Sequence, residues 1–444
     1  MNWDQLLSAK RLGMEEWISA NRIEDRSQFQ RDYDRIIFSS PFRRMQNKTQ
    51  VFPLPDHIFV HNRLTHTLEV ASVGRSLGNI LAEKLAPEFP ENPLISEIGT
   101  IVSTACLAHD LGNPPFGHSG EAAISDFFLK GSGAEYKDNL TPGEWKDFTH
   151  FDGNANAFRV LTNQFHGKRP GGFALTYSVL ASIVKYPFES VLAEKQKFGF
   201  FQSDKESYFK ISAELGIESS QLLPGSFCRH PLVYLVEAAD DICYQIMDLE
   251  DAYKLGILSY EKVKELFMAF YNPETDKKQL VSIEKTMDRV TDSNEQIGYL
   301  RAGVIGKLIH SAIDIFMNHR LEIEAGTFAK SLMDRLPEKQ ASAMKTVKEI
   351  SYKQVYAHRS VVEIEIAGYK IIGTLLGEFV NAVMEPSGKY NEKLLSLLPG
   401  QYKTEGDSVY AKIQSVVDFV SGMTDVFALD LYRKITGISL PGIR

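Results

Sequence analysis

Apolar residues recur at helical spacing along most of the chain. Over Leu64–Leu85, Leu64, Leu68, Val73, Leu77 and Leu81 are read as one face of a single helix. Ile95–His109 is apolar on nearly every side, which predicts a buried helix. The run LGNPPFG (Leu111–Gly117) then breaks regular structure with two prolines and two glycines, and helical spacing resumes over Ser119–Leu129. A long helix is expected over Leu232–Tyr253, with Pro231 placed where a helix can begin. Glu194–Cys228 is less regular, rich in Lys, Phe and Ser, and reads as a solvated loop, a flap over a site or a short hairpin. Val361–Ile366 alternates like a strand, but GYKIIGTLLGEFVNAV behind it has helical spacing, so one helix starting near Ser360 is expected.

These elements predict an all-α protein. With no repeat period, low-complexity tract or clear linker, the expected organisation is a helical core over 1–256, followed by a helical C-terminal region over 257–444.

Composition narrows the class. The chain has 444 residues, 43% hydrophobic and 24% charged, with a net charge of −8. That balance argues against a protein that coats nucleic acid, while leaving room for a local basic pocket, since fields are screened within roughly 10 Å. Cys106, Cys228 and Cys243 show no CxxC spacing, which fits a reducing compartment and points away from a zinc ribbon. The start, MNWDQLLSAKRLGMEEW, has no apolar core of a signal peptide, and no apolar run approaches the ~20 residues of a membrane helix. A cytoplasmic protein without membrane contact is expected.

Three segments carry candidate chemistry. In ACLAHDLGNPPFGHSGE, His109 and Asp110 end an apolar helix, and His118 and Glu121 follow the Gly/Pro turn. Imidazole with carboxylate suits a first-row divalent ion, although a buried helix-cap histidine beside a turn aspartate is the plainer reading. In HNRLTHTLEVA, His66 lies in the first turn of a helix with Arg63 three residues before it; alone, it reads as a surface or capping residue. In VEAADDICYQIMDLEDA, Asp240, Tyr244 and Asp248 are spaced i, i+4, i+8 and line one helical stripe. A carboxylate on such an apolar stripe is costly unless paired or metal-bound, and a solvated acidic face is the alternative.

Together the segments resemble the HD-domain phosphohydrolase superfamily, with its H…HD…D pattern. RRMQNKTQVFPLP, NRLTHTLEV, AHDLGNPPFGHSGE, FDGNANAFRVL, VKYPF, EAADDICYQIMDLEDA and SGMTD follow the order of the bacterial dGTP triphosphohydrolase family. By that resemblance His66, His109, Asp110 and Asp240 are metal ligands for a divalent ion, Mn²⁺ or Mg²⁺, and the HD motif segment spans about 61–252. Asp240 is favoured over Asp241 because Tyr244 and Asp248 keep the family's spacing only from Asp240. His118 and Glu121 correspond to the catalytic dyad. Arg63 and Lys185 correspond to phosphate contacts, and Gln46, Tyr244 and Asp248 to positions around the sugar. Asn113 stands where the mammalian branch has a histidine, as is common in bacterial members.

The resemblance implies hydrolysis of a deoxynucleoside triphosphate, dGTP or several dNTPs, to deoxynucleoside and inorganic triphosphate. It also implies a homo-oligomer, hexamer or tetramer, and allows a nucleotide effector and single-stranded DNA as further partners. The competing readings are an HD phosphohydrolase acting on nucleoside monophosphates or cyclic nucleotides, and a nucleotide- or single-stranded-DNA-binding protein of low activity.

Overall fold

The computed structural model describes residues 1–16, 26–52, 60–403 and 408–439. Of the segment compared at 43–55, residues 53–55 lie outside them. Among the described residues every regular element is helical, and extended pairing is limited to four isolated bridges. The fold is all-α.

The helix Arg63–Leu85, here the His66 helix, starts on a reciprocal cap. Asn62 Oδ1 accepts from Thr65 N at 3.0 Å, and Thr65 Oγ1 accepts from Asn62 N at 3.1 Å. Such a cap contributes about 1 kcal/mol and fixes the turn that carries Arg63 and His66. Val70, Val73, Leu77 and Leu81 are buried, whereas Leu68 is 43% exposed, against expectation. Nine residues at about 100° each place Leu68 opposite Leu77, so the two cannot share a face.

The predicted helix over Ile95–His109 divides into a 3₁₀ segment, Pro93–Glu97, and an α-helix, Ile98–Ala108, with His109 as its C-cap. This helix crosses the His66 helix closely: a Cβ on Gly78 would stand 2.7 Å from Gly99 Cα. Only glycine permits that approach, which leaves the His66 and His109 rings 5.8 Å apart. The helix Val233–Lys254, here the Asp240 helix, packs against both and ends before Gly256, whose φ is +72°.

Glu194–Cys228 is not a solvated loop. It contains the helix Lys205–Glu214, a bridge from Phe200 back to Glu189, and an antiparallel pairing of Ser219 with Phe227 that closes a short hairpin. Phe198, Phe200, Phe201 and Tyr208 are almost fully buried, and this aromatic surface folds the segment onto the body.

Two apolar clusters form the interior, and each draws on residues from both sides of Gly256. The first surrounds the His66 and Asp240 helices and extends to Val361. The second joins the helix Gly117–Leu129, here the His118 helix, to Arg359–Met384 and Val409–Ser421. Arg359–Met384 begins within one residue of the expected Ser360. By length and composition alone it is apolar enough to cross a membrane, which departs from the expectation that no segment is. Here Ile372, Leu375, Leu376 and Phe379 are buried in the second cluster, while Glu363 and Glu365 are exposed. Arg159 ties this region to the core, with Nε and Nη2 each 2.7 Å from the Asp418 carboxylate.

Candidate functional site

The His66 helix, the end of the Ile98–Ala108 helix and the Asp240 helix converge on one cluster. His66, His109 and Asp240 each offer a ligand atom within 4.8 Å of the others. Asp240 Oδ1 lies 3.1 Å from His66 Nε2 and 3.5 Å from His109 Nε2. Asp110 joins through Oδ1, 3.5 Å from His109 Nε2, while its Oδ2 accepts from Arg63 Nη1 at 2.7 Å.

His109 Nδ1 lies 2.6 Å from the Cys106 carbonyl, which can only accept, so Nδ1 carries the proton in the neutral ring. Nε2 is then a lone pair, buried and without a hydrogen-bond partner, facing two carboxylates. Lone pairs converging from imidazoles and carboxylates repel one another until a cation or protons sit among them. Without a cation protons serve: burial opposes charge on His109, but Asp110 and Asp240 outweigh it and push its pKa up to about 9. Asp240 is recessed, which opposes its charge, yet His109 and His66 hold its carboxyl well below the usual carboxylate range. The donor set fits a divalent ion.

The turn after Asp110 is held from several directions. Asn113 Nδ2 donates to Asp110 Oδ1, and Asn156 Nδ2 donates to Gly112 O at 2.7 Å. Lys48 Nζ donates to the carbonyls of Asn113 and Ser421; burial, with Arg44 and Arg63 nearby, pushes its pKa down to about 7. Phe116 and Gly117 both have left-handed backbones, φ 64° and 59°, and turn the chain into the His118 helix. His118 Nδ1 pairs with Glu121 Oε2 at 3.0 Å, and the His118 ring is 82% exposed. The Glu121 hydrogen bond raises the His118 pKa above its ordinary value, against some burial. Glu121 is buried, which opposes its charge, but His118 and Lys197 hold it ionised.

The predicted sugar stripe is one face of the Asp240 helix. Tyr244 stacks on Tyr356 with ring centres 5.9 Å apart, and Tyr356 Oη donates to Asp248 Oδ2 at 2.6 Å. Burial pushes the Asp248 pKa up to about 7, against that hydrogen bond. Arg63 keeps Nε buried and unpartnered after giving Nη1 to Asp110. Lys185 Nζ lies 2.9 Å from Glu237 Oε1, and Arg229 Nη1 lies 3.1 Å from Glu237 Oε2. Gln46 is exposed, and among the described residues no hydrogen bond ties its side chain to this cluster.

Sequence reasoning missed several of these neighbours. Gly153, in FDGNANA, donates its amide to Glu121 Oε1 at 2.8 Å, and a Cβ there would stand 2.0 Å from Asn113 Oδ1. Lys197 pairs with Asp152 at 3.1 Å and lends positive charge to Glu121. Asp425, in SGMTD, accepts from the backbone of Thr49 and Phe116. The only signal for Gly153 and Asp425 was their place inside the compared segments, and Lys197 lies outside them. Tyr352 and Tyr356, in and beside the π-helical turn Ser351–Val355, gave no signal beyond an i, i+4 aromatic pair.

Two family models match the chain. Residues 63–155 match the HD domain model, and residues 335–434 match a model described as a phosphohydrolase-associated domain. The chain is 38% identical to a deoxyguanosinetriphosphate triphosphohydrolase-like protein of Synechocystis sp., covering 99% of this chain and 100% of the relative. A Listeria innocua protein of the same description is 34% identical over 99% of the chain and 100% of the relative. A Yersinia enterocolitica deoxyguanosinetriphosphate triphosphohydrolase is 30% identical, covering 92% and 93%.

Proposed function

Since this chain belongs to the deoxyguanosinetriphosphate triphosphohydrolase-like family of HD-domain proteins, we propose that it hydrolyses deoxynucleoside triphosphates, dGTP or several dNTPs, to deoxynucleoside and inorganic triphosphate. The observation that carries this reading is the unpartnered, buried Nε2 of His109 beside His66 and Asp240. In this reading His66, His109, Asp110 and Asp240 hold a divalent ion, Mn²⁺ or Mg²⁺. Such an ion, when bound, activates water and polarises a phosphoryl oxygen.

The remaining steps belong to side chains of the chain. Arg63, with its free Nε, and Lys185, beside Arg229, draw the triphosphate by charge and hydrogen bonds. Water gives up one proton to solvent as its oxygen bonds to the α-phosphorus and the bond from that phosphorus to the 5′ oxygen breaks. His118, kept protonated by Glu121, gives its proton to the leaving 5′ oxygen, which departs as the nucleoside hydroxyl. Gly153 N and Lys197 keep Glu121 ionised and oriented for that pairing. Asp248 accepts from the 3′-hydroxyl, and Tyr244 lies beneath the sugar, where its ring would crowd a 2′-hydroxyl. The core over 1–256 carries the chemistry, and the region over 257–444 supplies Tyr356, Ser421 and Asp425 as supports.

The test is a panel of dNTPs with Mn²⁺, with Mg²⁺ and with chelator, alone and beside a second dNTP, reading tripolyphosphate release. Metal-dependent tripolyphosphate in equal amount to deoxynucleoside is expected. Orthophosphate from nucleoside monophosphates, with no tripolyphosphate from any dNTP, would overturn the reading.

A further inference from the structure

The residue that leads into the His66 helix is gripped by a carboxylate of the Asp240 helix. Asp251 Oδ2 accepts the His61 backbone amide at 2.8 Å, and Asp251 Oδ1 lies 2.9 Å from His61 Nδ1. On the opposite edge of the ring, His61 Nε2 lies 3.1 Å from Oε1 of Glu69, on the His66 helix. One imidazole therefore joins the two helices that carry His66 and Asp240, and it pairs with neither of those residues.

An ionised carboxylate only accepts, so a ring held between two of them keeps a proton on each nitrogen. Burial opposes that charge, but Asp251 and Glu69 outweigh it and push the His61 pKa up to about 10. Other cations on this side are spent, since Lys254 and Arg301 both pair with Glu250. Among the described residues, His61 is the one cation paired with Asp251 and with Glu69.

Asp251 follows Asp248 by three residues, so the two share a face of the Asp240 helix. Both are buried. Two buried carboxylates at this spacing oppose each other's charge. Burial raises the Asp248 pKa with Tyr356 opposing; beyond these, Asp251 adds to the rise and His61 works against it. We infer that His61 is a positioning residue for the sugar end of the site. Its ring pins the entry of the His66 helix to the Asp248–Asp251 face, and its positive charge offsets Asp251, leaving Asp248 able to take a 3′-hydroxyl as an anion. This rests on the reading of Asp248 as the acceptor of that hydroxyl.

The probes are a deoxynucleoside triphosphate with a non-hydrolysable α,β-imido link and its 3′-deoxy analogue. Each is titrated calorimetrically into the metal-loaded full chain near neutral pH, so no turnover is needed. Wild type should bind the first more tightly, and the ratio of the two dissociation constants reports the 3′-hydroxyl. His61→Gln still reaches one carboxylate but carries no charge. The ratio should shrink by up to about tenfold, through weaker binding of the 3′-hydroxyl probe alone, while metal content per chain holds. Adding Asp251→Asn removes the uncompensated charge and should restore most of the ratio, which a loss of packing would not allow. His61→Lys keeps a cation and should retain more of the ratio than His61→Gln. Should His61→Gln fail to fold, the double variant and His61→Lys decide: a ratio lost in both would overturn the inference. Equal weakening of both probes, or no recovery in the double variant, would overturn it as well. A wild-type preference untouched by His61→Gln would overturn this inference alone, whereas a wild-type chain that binds both probes alike would overturn the Asp248 assignment beneath it.

Discussion

Asp425 accepts the Phe116 amide at 3.0 Å across 309 residues of sequence, and its other carboxylate oxygen accepts the Thr49 amide at 2.8 Å. The bond to Phe116 holds a non-glycine residue at φ 64°, a conformation that costs about 1–2 kcal/mol. The C-terminal region therefore fixes the turn that aims His118. Asp425→Ala strands one buried donor, the Thr49 amide, worth about 1–3 kcal/mol, and one part-buried donor, the Phe116 amide. Its melting temperature should fall by several degrees, and kcat should fall at least about tenfold while metal content per chain holds. A variant that melts early yet turns over at the wild-type rate would show that Phe116 does not govern His118.

Adjacent aspartates on one helix give a second prediction. Asp240 faces both imidazoles, whereas Asp241 is pushed up to about 7 by burial, with Lys185 opposing. Asp240→Ala should abolish metal retention and turnover, read by elemental analysis of the desalted protein and by tripolyphosphate release. Asp241→Ala should keep the metal. The opposite pattern would shift the ligand assignment by one residue.

Much of this site was legible because its residues sit on long helices whose periodicity is strong. Asp240, Tyr244 and Asp248 share a stripe for the reason given by 3.6-residue spacing, and His66 follows a cap written as N-R-L-T. What periodicity could not supply was contact between distant segments. Lys48 reaches the Asn113 carbonyl, Asp425 accepts the Phe116 amide and Gly153 gives its amide to Glu121, and in each bond one partner is a backbone group that leaves no side-chain pattern to read. The solvated-loop reading of Glu194–Cys228 fails because its aromatic residues follow no regular period, although together they bury one face. Leu68 leaves the expected face for a simpler reason: nine residues at about 100° each set it opposite the buried Leu77.

The His118–Glu121 pair sets a pH limb. Hydrogen bonding to Glu121 raises the His118 pKa above the ordinary value of about 6.5. A group of raised pKa keeps its proton below the ordinary value and loses it as pH climbs through the folded one. Activity that needs protonated His118 should therefore decline on an alkaline limb lying above pH about 6.5. Glu121→Gln removes the carboxylate, so that limb should move to lower pH, read as kcat against pH with metal in excess. An unmoved limb would assign the proton donor elsewhere. Since the His118 ring is largely exposed, thermal stability across this range should change little.

Tyr356 offers a readout that separates sugar binding from chemistry. Its hydroxyl donates to Asp248 at 2.6 Å and opposes the rise that burial imposes, the balance leaving the Asp248 pKa at about 7. Asp248 must be ionised to accept fully from a 3′-hydroxyl, so near neutrality its charge is finely balanced. Tyr356→Phe keeps the ring against Tyr244 but removes the donor, and the Asp248 pKa should rise further. At pH 7 a larger share of Asp248 is then protonated, and KM for a dNTP should rise by up to about tenfold, the loss of one hydrogen bond, while kcat changes less. The sign of the pH effect follows. Raising the pH ionises Asp248 in the variant as well, so the KM gap from wild type should narrow between pH 7 and 9. A 3′-deoxy substrate, which cannot donate to Asp248, should show no such gap at any pH. A KM penalty that persists for the 3′-deoxy substrate would place Tyr356 in packing alone and free Asp248 from the role assigned to it.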